Sequence, residues 1–294
     1  MTAPLICVLG DLVEDVVVLP AGPLRHGSDV SATVVRRPGG SAANVAREVA
    51  RLGARARFAC RIGADALGDR LVTDLSSAGV EVHAERYGRS GSIVVLVDEH
   101  GERTMLRDRG SSGQVGPPAE GWLDGAAALH LTMYTFEEPQ GRATGLAVAG
   151  EARSRGIVCS LALSSVAVLE GMGRPALEDL LAEVSPDVVV ANGDEARWLD
   201  LTCRPRPDVG TVVVTRGPDP VRLWHAGRAV DVAAVAVPDP ADTTGAGDAF
   251  AAGFLVAWAG GTSPVGSVRA GHAAAARRLA QQCERPTAGE EGRS

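Results

Sequence analysis

The residues best suited to do chemistry lie in one stretch near the C-terminal end of the chain, from Asp242 to Asp248, which reads DTTGAGD. Apolar residues at helical spacing follow it, so the stretch forms a loop at a predicted helix N-terminus. The first N–H groups of a helix have no intrahelical partner, and together with the helix dipole they attract anions. Gly245 and Gly247 let the backbone approach a ligand closely. The loop therefore predicts an anion-binding site.

Asp248 lies at the mouth of this predicted anion site. A carboxylate is a poor binding group for phosphate because the two anions repel each other. It suits a general base that takes a proton from a hydroxyl as that hydroxyl attacks the phosphate. Two other interpretations stay open. Either Asp248 is an ordinary first-turn acid favoured by the helix dipole, or the loop is a dinucleotide fingerprint in which Phe250 replaces the third glycine.

The basic residues are all of one kind, since the chain has 29 arginines and no lysine. A P-loop requires its lysine, and Schiff-base chemistry requires one as well, so both are excluded. If the protein moves phosphate, the positive charge must come from arginine, metal ions and backbone amides.

The overall composition limits the class of protein and its partners. The 294 residues carry a net charge of −7, which argues against nucleic acid or an anionic membrane as the partner. A hydrophobic content of 45% supplies a sizeable core, yet no apolar run reaches the length of a membrane span. The five cysteines are scattered, and their number is odd. We interpret them as reduced thiols of a cytoplasmic protein.

Most of the chain alternates between short apolar runs and helical patterns, beginning with Leu5–Leu9. This alternation predicts an α/β fold with a mostly parallel sheet and helices on both faces. Two segments, about 12–38 and 88–108, interrupt it with patterns of half-exposed strands. We predict that together they form a small β lid. Residues 285–294 are predicted to be a disordered tail.

Polar residues follow two of the predicted strands, at the edge where ligands of open α/β sheets bind. Asp15 lies past the first strand, with a solvated loop acid as the alternative. Asn192 and Glu195 lie past a later one. A single carboxylate such as Glu195 suits Mg²⁺ held through water, because Mg²⁺ keeps part of its hydration shell. The alternative is a helix capping box formed by the same two residues.

Two further groups are candidates for substrate contact. Gly39 and Gly40 open a second predicted helix, and Asn44 in its first turns is placed to bind a hydroxyl. A capping or surface asparagine is the alternative. Arg107 and Arg109 lie at the end of the second lid segment and are candidates to meet an acidic or phosphorylated group. The alternative for them is a solvated face or a local ion pair.

Four of these stretches, taken in order, resemble the signatures of the ribokinase-like (PfkB) carbohydrate kinase family. They are Gly39-Gly40-x-x-x-Asn44-x-Ala46, Asn192-x-x-Glu195, Thr215-x-Gly217 and the run from Asp242 to Phe250. The resemblance spans roughly residues 5–283. It implies a doubly wound ribokinase-like kinase domain over residues 1–284 with an inserted β lid, ATP as the phosphoryl donor and Mg²⁺ as the activator.

The resemblance also implies roles for the residues that match the catalytic and sugar-binding motifs. Asp248 would deprotonate the substrate hydroxyl. The backbone of Gly245, Ala246 and Gly247 would form the anion hole for the transferring phosphoryl group. The sugar would be held by Asp15, Gly39, Gly40 and Asn44.

The nucleotide and metal sites follow from the same resemblance. Asn192 and Glu195 would organise Mg²⁺ and phosphate, and Thr215 and Gly217 would line the nucleotide site. His272 stands near a usual asparagine of the last helix, beside the adenine pocket. Many members bind a monovalent cation such as K⁺ next to the anion hole, and Asp242 and Thr244 match part of that loop.

Two departures from ribokinase itself argue against ribose as the substrate. Val13 stands where ribokinases have asparagine, and Ser41 stands where they have lysine. We therefore predict ATP-dependent phosphorylation of a sugar or sugar-like hydroxyl, without naming the sugar. The alternatives are a nucleoside kinase on the same fold and a non-catalytic sugar or nucleotide sensor. A homodimer through the apolar face of the lid is a further expectation.

Overall fold

The computed structural model describes residues 3–98, 102–202, 206, 208–235, 237 and 243–283. Within them the chain forms two sheets, flanked by helices. The strands are β1 (Leu5–Leu9), β2 (Val13–Pro20), β3 (Ala32–Gly39), β4 (Arg55–Ile62), β5 (Val80–Arg86), β6 (Gly91–Val97), β7 (Arg103–Asp108), β8 (Ala126–Thr132), β9 (Val158–Ala162), β10 (Val188–Asn192), β11 (Thr211–Arg216), β12 (Asp219–His225) and β13 (Arg228–Val232). The α-helices are α1 (Ser41–Arg51), α2 (Ala66–Ser77), α3 (Pro139–Ser154), α4 (Val166–Met172), α5 (Arg174–Val184), α6 (Gly193–Trp198), α7 (Ala246–Ala259) and α8 (Pro264–Cys283).

The main sheet has nine strands in the order β13-β12-β11-β10-β9-β8-β1-β4-β5. Seven of these strands run parallel, namely β11, β10, β9, β8, β1, β4 and β5. Strands β12 and β13 form an antiparallel hairpin at one edge. Strand order moves outward in both directions from β1 and β8, which is the pattern of a doubly wound sheet. The predicted α/β class is confirmed.

The central strand β1 shows why the sheet needs helices on both faces. Its five residues are all at most 3% exposed. Leu5, Cys7 and Leu9 pack with the helices α3 to α6, whereas Ile6 and Val8 face α1, α2 and α7. Side chains alternate across a strand, so a continuous apolar run is one that is buried on both sides.

The second sheet has four strands in the order β3-β2-β6-β7, all within the two segments predicted to form a lid. Its register places residues in rows across the strands. Asp15 pairs with Arg37 on one side and with Ile93 on the other, and Ile93 pairs with Arg107. Paired residues share a face of a sheet, so this row presents two arginines and an aspartate to the same side.

Two residues farther along, the same face of the lid becomes apolar, with Val17 paired to Val35 and Val95, and Val95 to Met105. Arg103, paired with Val97, closes the face at its far end. The lid therefore offers charge at both ends of an apolar band. The predicted tail at 285–294 lies outside the described residues.

Some expectations from composition can be compared with the described residues. Cys7, Cys60 and Cys159 are buried free thiols. No helix in the described ranges is both long enough and apolar enough to cross a bilayer.

The C-terminal helices α7 and α8 pack closely at Gly253. A Cβ atom added there would lie 2.7 Å from the carbonyl oxygen of Ala270 and 2.8 Å from the Cβ of Ala274. Contacts this short are not tolerated between a side chain and a backbone oxygen. Gly253 thus fixes the position of α7, whose first turn carries Asp248.

We expect Gly253→Ala to lower the free energy of unfolding by about 1–3 kcal/mol, because the added methyl group forces the two helices apart. Gly150→Ala in the exposed middle of α3 is the matched control, since a Cβ there meets no atom within 4 Å. That control should raise stability by roughly 0.5–1 kcal/mol through helix propensity. Urea unfolding measures both, and equal effects at the two positions would contradict close packing at Gly253.

Candidate active site

A cavity of about 390 Å³ lies between the lid sheet and the C-terminal ends of the central strands. Seven of the candidate residues from the sequence line it together, namely Asp15, Gly40, Asn44, Arg107, Arg109, Thr244 and Asp248. They come from the lid, from α1 and from the loop before α7. The structure thus brings together residues that are up to 233 positions apart in the chain (Asp15 to Asp248).

The carboxylate of Asp248 is held by two side chains of α1. Its Oδ1 accepts a hydrogen bond from the Ser41 hydroxyl at 2.7 Å, and its Oδ2 accepts one from the Asn44 amide at 2.9 Å. Both donors are neutral. The carboxylate is therefore oriented in the cavity without being neutralised by an ion pair.

The surroundings of Asp248 make it a stronger base than an ordinary aspartate. Desolvation within the cavity wall raises its pKa to about 6, against the opposing effect of the hydrogen bonds from Ser41 and Asn44. Nearby Asp11 also raises the pKa, whereas Arg278 lowers it. A base with a pKa near neutrality is ionised at pH 7 and still accepts a proton readily.

The loop before Asp248, which the sequence predicts to bind an anion, leads directly into α7. Gly245 precedes α7 with φ of 75°, a left-handed conformation that favours glycine. No side chain of the described residues caps the helix. The Ala246 N–H donates to the backbone oxygen of Thr243 at 3.2 Å. The amides that follow it in the first turn of α7 point to the positive end of the helix dipole, where an anion is favoured.

The Gly39-Gly40 pair has a structural reason that the sequence did not reveal. A Cβ on Gly40 would lie 2.4 Å from the carbonyl oxygen of Asp11, and its φ is 101°. A Cβ on Gly39 would lie 2.4 Å from the carboxylate carbon of Asp15. The two glycines allow the start of α1 to lie directly against both acids.

The predicted nucleotide and metal residues lie at the neighbouring ends of β10 and β11, where Asn192 pairs with Thr215. The capping box considered from the sequence is present. The Oδ1 of Asn192 accepts from the backbone N–H of Asp194 and of Glu195 at 2.9 Å, and Glu195 Oε2 accepts from the backbone N–H of Asn192 at 2.9 Å. Gly217 follows β11 with a positive φ. None of these residues lines the cavity.

Glu195 is only 3% exposed, and burial raises its pKa to about 7. Within the described residues, no three His, Cys, Asp or Glu side chains are grouped so that they could hold a metal ion. A lone carboxylate fits Mg²⁺ only if the ion keeps waters and shares the phosphates of a nucleotide, which is how Mg²⁺ is commonly bound. Glu195 as a single carboxylate fits a Mg²⁺ ion that is held in this way.

Three predicted residues remain, namely His272, Thr244 and Asp242, and of the two within the described residues only one lines the cavity. His272 packs its ring edge-on against Phe250 at 5.5 Å between centroids, and burial lowers its pKa. It does not line the cavity. Thr244 does, and its hydroxyl accepts a hydrogen bond from Arg103 of the lid. Asp242 lies outside the described residues.

The positive charge of the cavity comes from five arginines, only two of which were singled out from the sequence. They are Arg37, Arg103, Arg107, Arg109 and Arg278. The carboxylates in the same wall are Asp11, Asp15 and Asp248. In a chain of net charge −7, this wall carries more cations than anions.

Arg278 of α8 is the most informative of the residues missed. Its Nε and Nη2 lie 3.5 Å from the place that a Cβ on Gly245 would take. No hydrogen bond or ion pair joins it to another described residue. A sequence signal existed, because Arg278 follows Ala274 by one helical turn and thus shares the face that packs into the protein. An arginine on a buried helix face requires a reason.

The chain shows clear similarity to known proteins. A sequence profile described as pfkB family carbohydrate kinase matches residues 3–284. The chain is 31% identical over 260 residues to the ATP-dependent ribose-1-phosphate kinase of Halopiger xanaduensis, covering 86% of this chain and 81% of that protein. It is 31% identical over 267 residues to the fructokinase of Klebsiella pneumoniae, covering 85% and 83%. A solved structure of a probable sugar kinase from Rhizobium etli CFN 42 matches with a TM-score of 0.83 at 26% identity, over 94% of this chain and 93% of that one.

The raised pKa of Asp248 predicts a stability that depends on pH. A pKa of about 6 in the folded chain, against an ordinary 3.8, means that the folded state binds more protons than the unfolded state between these values. The free energy of unfolding therefore falls as pH rises through that window, by about 1 kcal/mol between pH 5 and pH 8. Asp248→Asn lacks this effect.

We thus expect the stability of Asp248→Asn relative to wild type to increase by about 1 kcal/mol from pH 5 to pH 8 in urea unfolding. Asp74→Asn on the surface of α2 controls for the change in net charge. Parallel pH profiles for wild type and Asp248→Asn would contradict the raised pKa.

Proposed function

The chain belongs to the pfkB family of carbohydrate kinases, and from that premise we propose that Asp248 is the general base of an ATP-dependent phosphoryl transfer to a sugar hydroxyl. The observation that carries the proposal is the position of its carboxylate. It lines the cavity, it is oriented by Ser41 and Asn44, and it lies in the first turn of α7, directly after the glycine loop.

The proposed reaction is a single displacement at phosphorus. The acceptor hydroxyl passes its proton to Asp248, and its oxygen forms a bond to the γ-phosphorus of ATP. The bond from that phosphorus to the bridging oxygen breaks, and ADP leaves. The amides of Gly245, Ala246 and Gly247 would stabilise the charge on the transferring group, because they are fixed in place before the reaction. Bound Mg²⁺ would neutralise part of the phosphate charge.

The acceptor would be held on the lid side of the cavity. Asp15 and Asn44 offer a carboxylate and an amide for hydroxyl groups, and Gly39 and Gly40 keep the backbone near them. The apolar band of the lid covers the same space. Excluding water there limits the loss of ATP to hydrolysis.

The nucleotide would lie along the ends of β10 and β11, with Asn192, Thr215 and Gly217 as its contacts and Glu195 holding Mg²⁺ through water. The pairing of Asn192 with Thr215 at the ends of these two strands supports this placement. His272 remains a proposed neighbour of the adenine pocket. A monovalent cation bound by Thr244 and Asp242, and a homodimer through the lid, also remain proposals.

The proposal also assigns a role to Arg278, which would bind the transferring phosphoryl group. Its guanidinium lies next to Gly245, where the transferring phosphoryl group would be held. An arginine in such a place stabilises the charge of phosphoryl transfer, and the chain has no lysine that could do so.

A nucleoside kinase on the same fold is the second candidate. It differs only in the acceptor, and a sensor without catalysis differs in consuming no ATP. The oriented carboxylate of Asp248 favours an enzyme over a sensor, because a binding protein has no use for a base beside a phosphate site.

The first test is release of ADP from MgATP with a panel of sugars, sugar acids, sugar phosphates and nucleosides. We expect one acceptor class to stimulate the wild type. Asp248→Asn should retain nucleotide binding and lose turnover by a factor of about 10³ or more, since its amide cannot accept the proton. Near-normal turnover by Asp248→Asn would disprove the role of the base.

A second test addresses Arg278. We expect Arg278→Gln to lower kcat by roughly 10- to 100-fold, with little change in the KM of the acceptor, because a hydrogen bond to a charged group contributes about 1.5–3 kcal/mol. Arg277→Gln is the matched control, as its side chain is exposed and does not line the cavity. A rise in acceptor KM at unchanged kcat would contradict a contact with the transferring group.

A further inference from the structure

The cavity has a second cationic centre, which the proposed phosphoryl transfer does not use. Arg107 and Arg109 both stack on the Tyr134 ring, with their guanidinium carbons 5.8 and 5.4 Å from its centroid. All three residues line the cavity. A stacked guanidinium is held in a fixed orientation, which favours planar contacts with carboxylate or phosphate.

The charge at this centre is only half balanced. Glu137 is the carboxylate partner of both arginines, at 3.3 Å from Arg107 and 2.6 Å from Arg109. Two guanidiniums thus share one carboxylate, and a net positive charge remains. Arg37 and Arg103, which line other parts of the cavity, are engaged with protein groups.

One donor of this centre has no partner. Arg109 Nη1 donates to the backbone oxygen of Tyr134 at 2.9 Å and to Glu137, whereas its Nη2 is buried without a hydrogen bond to any described residue. Leaving a buried donor of a charged group unsatisfied costs free energy. The guanidinium as a whole lines the cavity, so a small rotation of the Arg109 side chain would present Nη2 to a ligand that accepts from it.

The position of the centre separates it from the nucleotide. Tyr134 follows β8, whereas the proposed nucleotide residues end β10 and β11, two and three strands away. That is roughly 10–14 Å at the usual strand spacing. On the lid, Arg107 lies two strands from Asp15 in the same row, roughly 10 Å away. A sugar that contacts Asp15 and Asp248 therefore has room to extend a substituent toward Arg107.

We propose that the acceptor carries an anionic group, a phosphate or a carboxylate, and that Arg107 and Arg109 bind it. This inference rests on the proposed function and names the class of its acceptor. A neutral sugar would leave the excess charge uncompensated. An anion would accept from Arg107 and, after a small rotation of the Arg109 side chain, from its unpartnered Nη2, and it would place the hydroxyl to be phosphorylated at Asp248.

The test compares matched acceptors that differ in charge. The pairs are ribose with ribose 1-phosphate, fructose with fructose 6-phosphate, and glucose with gluconate. We expect kcat/KM to be at least about 30-fold higher for the anionic member of one pair, because two charge-assisted hydrogen bonds are added. The phosphate pairs and the gluconate pair distinguish the two kinds of anion. A preferred neutral sugar would overturn the proposal.

The variants assign the effect to the arginines. Arg107→Gln should lower kcat/KM for the anionic acceptor by about tenfold or more and change that for its neutral partner by less than about threefold. Arg109→Gln should act in the same way, with thermal unfolding to confirm its fold. Arg25→Gln on the exposed lid loop removes the same charge outside the cavity, and we expect it to match wild type. If the KM of ATP rises instead, the arginines bind nucleotide and the proposal is wrong.

Binding separates this inference from the proposed function. Calorimetric titration of the same acceptors into Asp248→Asn needs no turnover. If anionic sugars bind more tightly than their neutral partners, and Arg107→Gln removes the difference, the inference stands even where no acceptor stimulates ADP release. If neutral and anionic members bind equally, the inference fails even for an active kinase.

Discussion

The arrangement of the cavity depends on two hydrogen bonds that join the first turn of α7 to α1, from Ser41 and Asn44 to the carboxylate of Asp248. Because both donors are neutral, they fix the orientation of the carboxylate without removing its charge. The sheet holds the two helices next to each other, since α1 and α7 pack on the same face of β1. Close packing of α7 on α8 at Gly253 holds the other side. The carboxylate is thus positioned by rigid elements, as precise chemistry requires.

The lid adds a second layer of constraint through register. A shift of one residue in β2 would turn Asp15 and the apolar band away from the cavity together, because the side chains of a strand alternate between faces. The pairing of Asp15 with Arg37 and Ile93 fixes that register. Glu14, the next residue, faces the other way and is buried against Arg36 of the lid and Arg70 of α2. One strand therefore supplies both a candidate substrate contact and an anchor of the lid.

The sequence predicted much of this arrangement because the signals were local. The start of α7 follows from glycines before an apolar helical run, and the buried strand at Leu5–Leu9 follows from its composition. The capping box at Asn192 and Glu195 was visible as a spacing of three residues. What could not be predicted depends on packing. Ser41 was seen only as a departure from lysine, because its partner is 207 residues away.

The arginines illustrate the same limit. Arg107 and Arg109 were read as either substrate contacts or members of an ion pair, and the structure shows that they line the cavity and also pair with Glu137. A linear pattern treats these as alternatives, whereas a three-dimensional site combines them. Arg278 was missed because its role depends on which face of α8 meets the core. No pattern singled out β4, in which Arg57 and Arg61 interrupt the apolar residues.

The cations that line the cavity are all arginines, and this has a consequence for the chemical durability of the protein. Open-chain sugars and their phosphates carry aldehyde or ketone groups, which condense with the free amine of lysine to form imines. A guanidinium stays protonated at any physiological pH and is a poor nucleophile. A cavity that uses only guanidinium cations can therefore hold a carbonyl-bearing sugar, turnover after turnover, without the glycation that an ammonium group in the same place would invite.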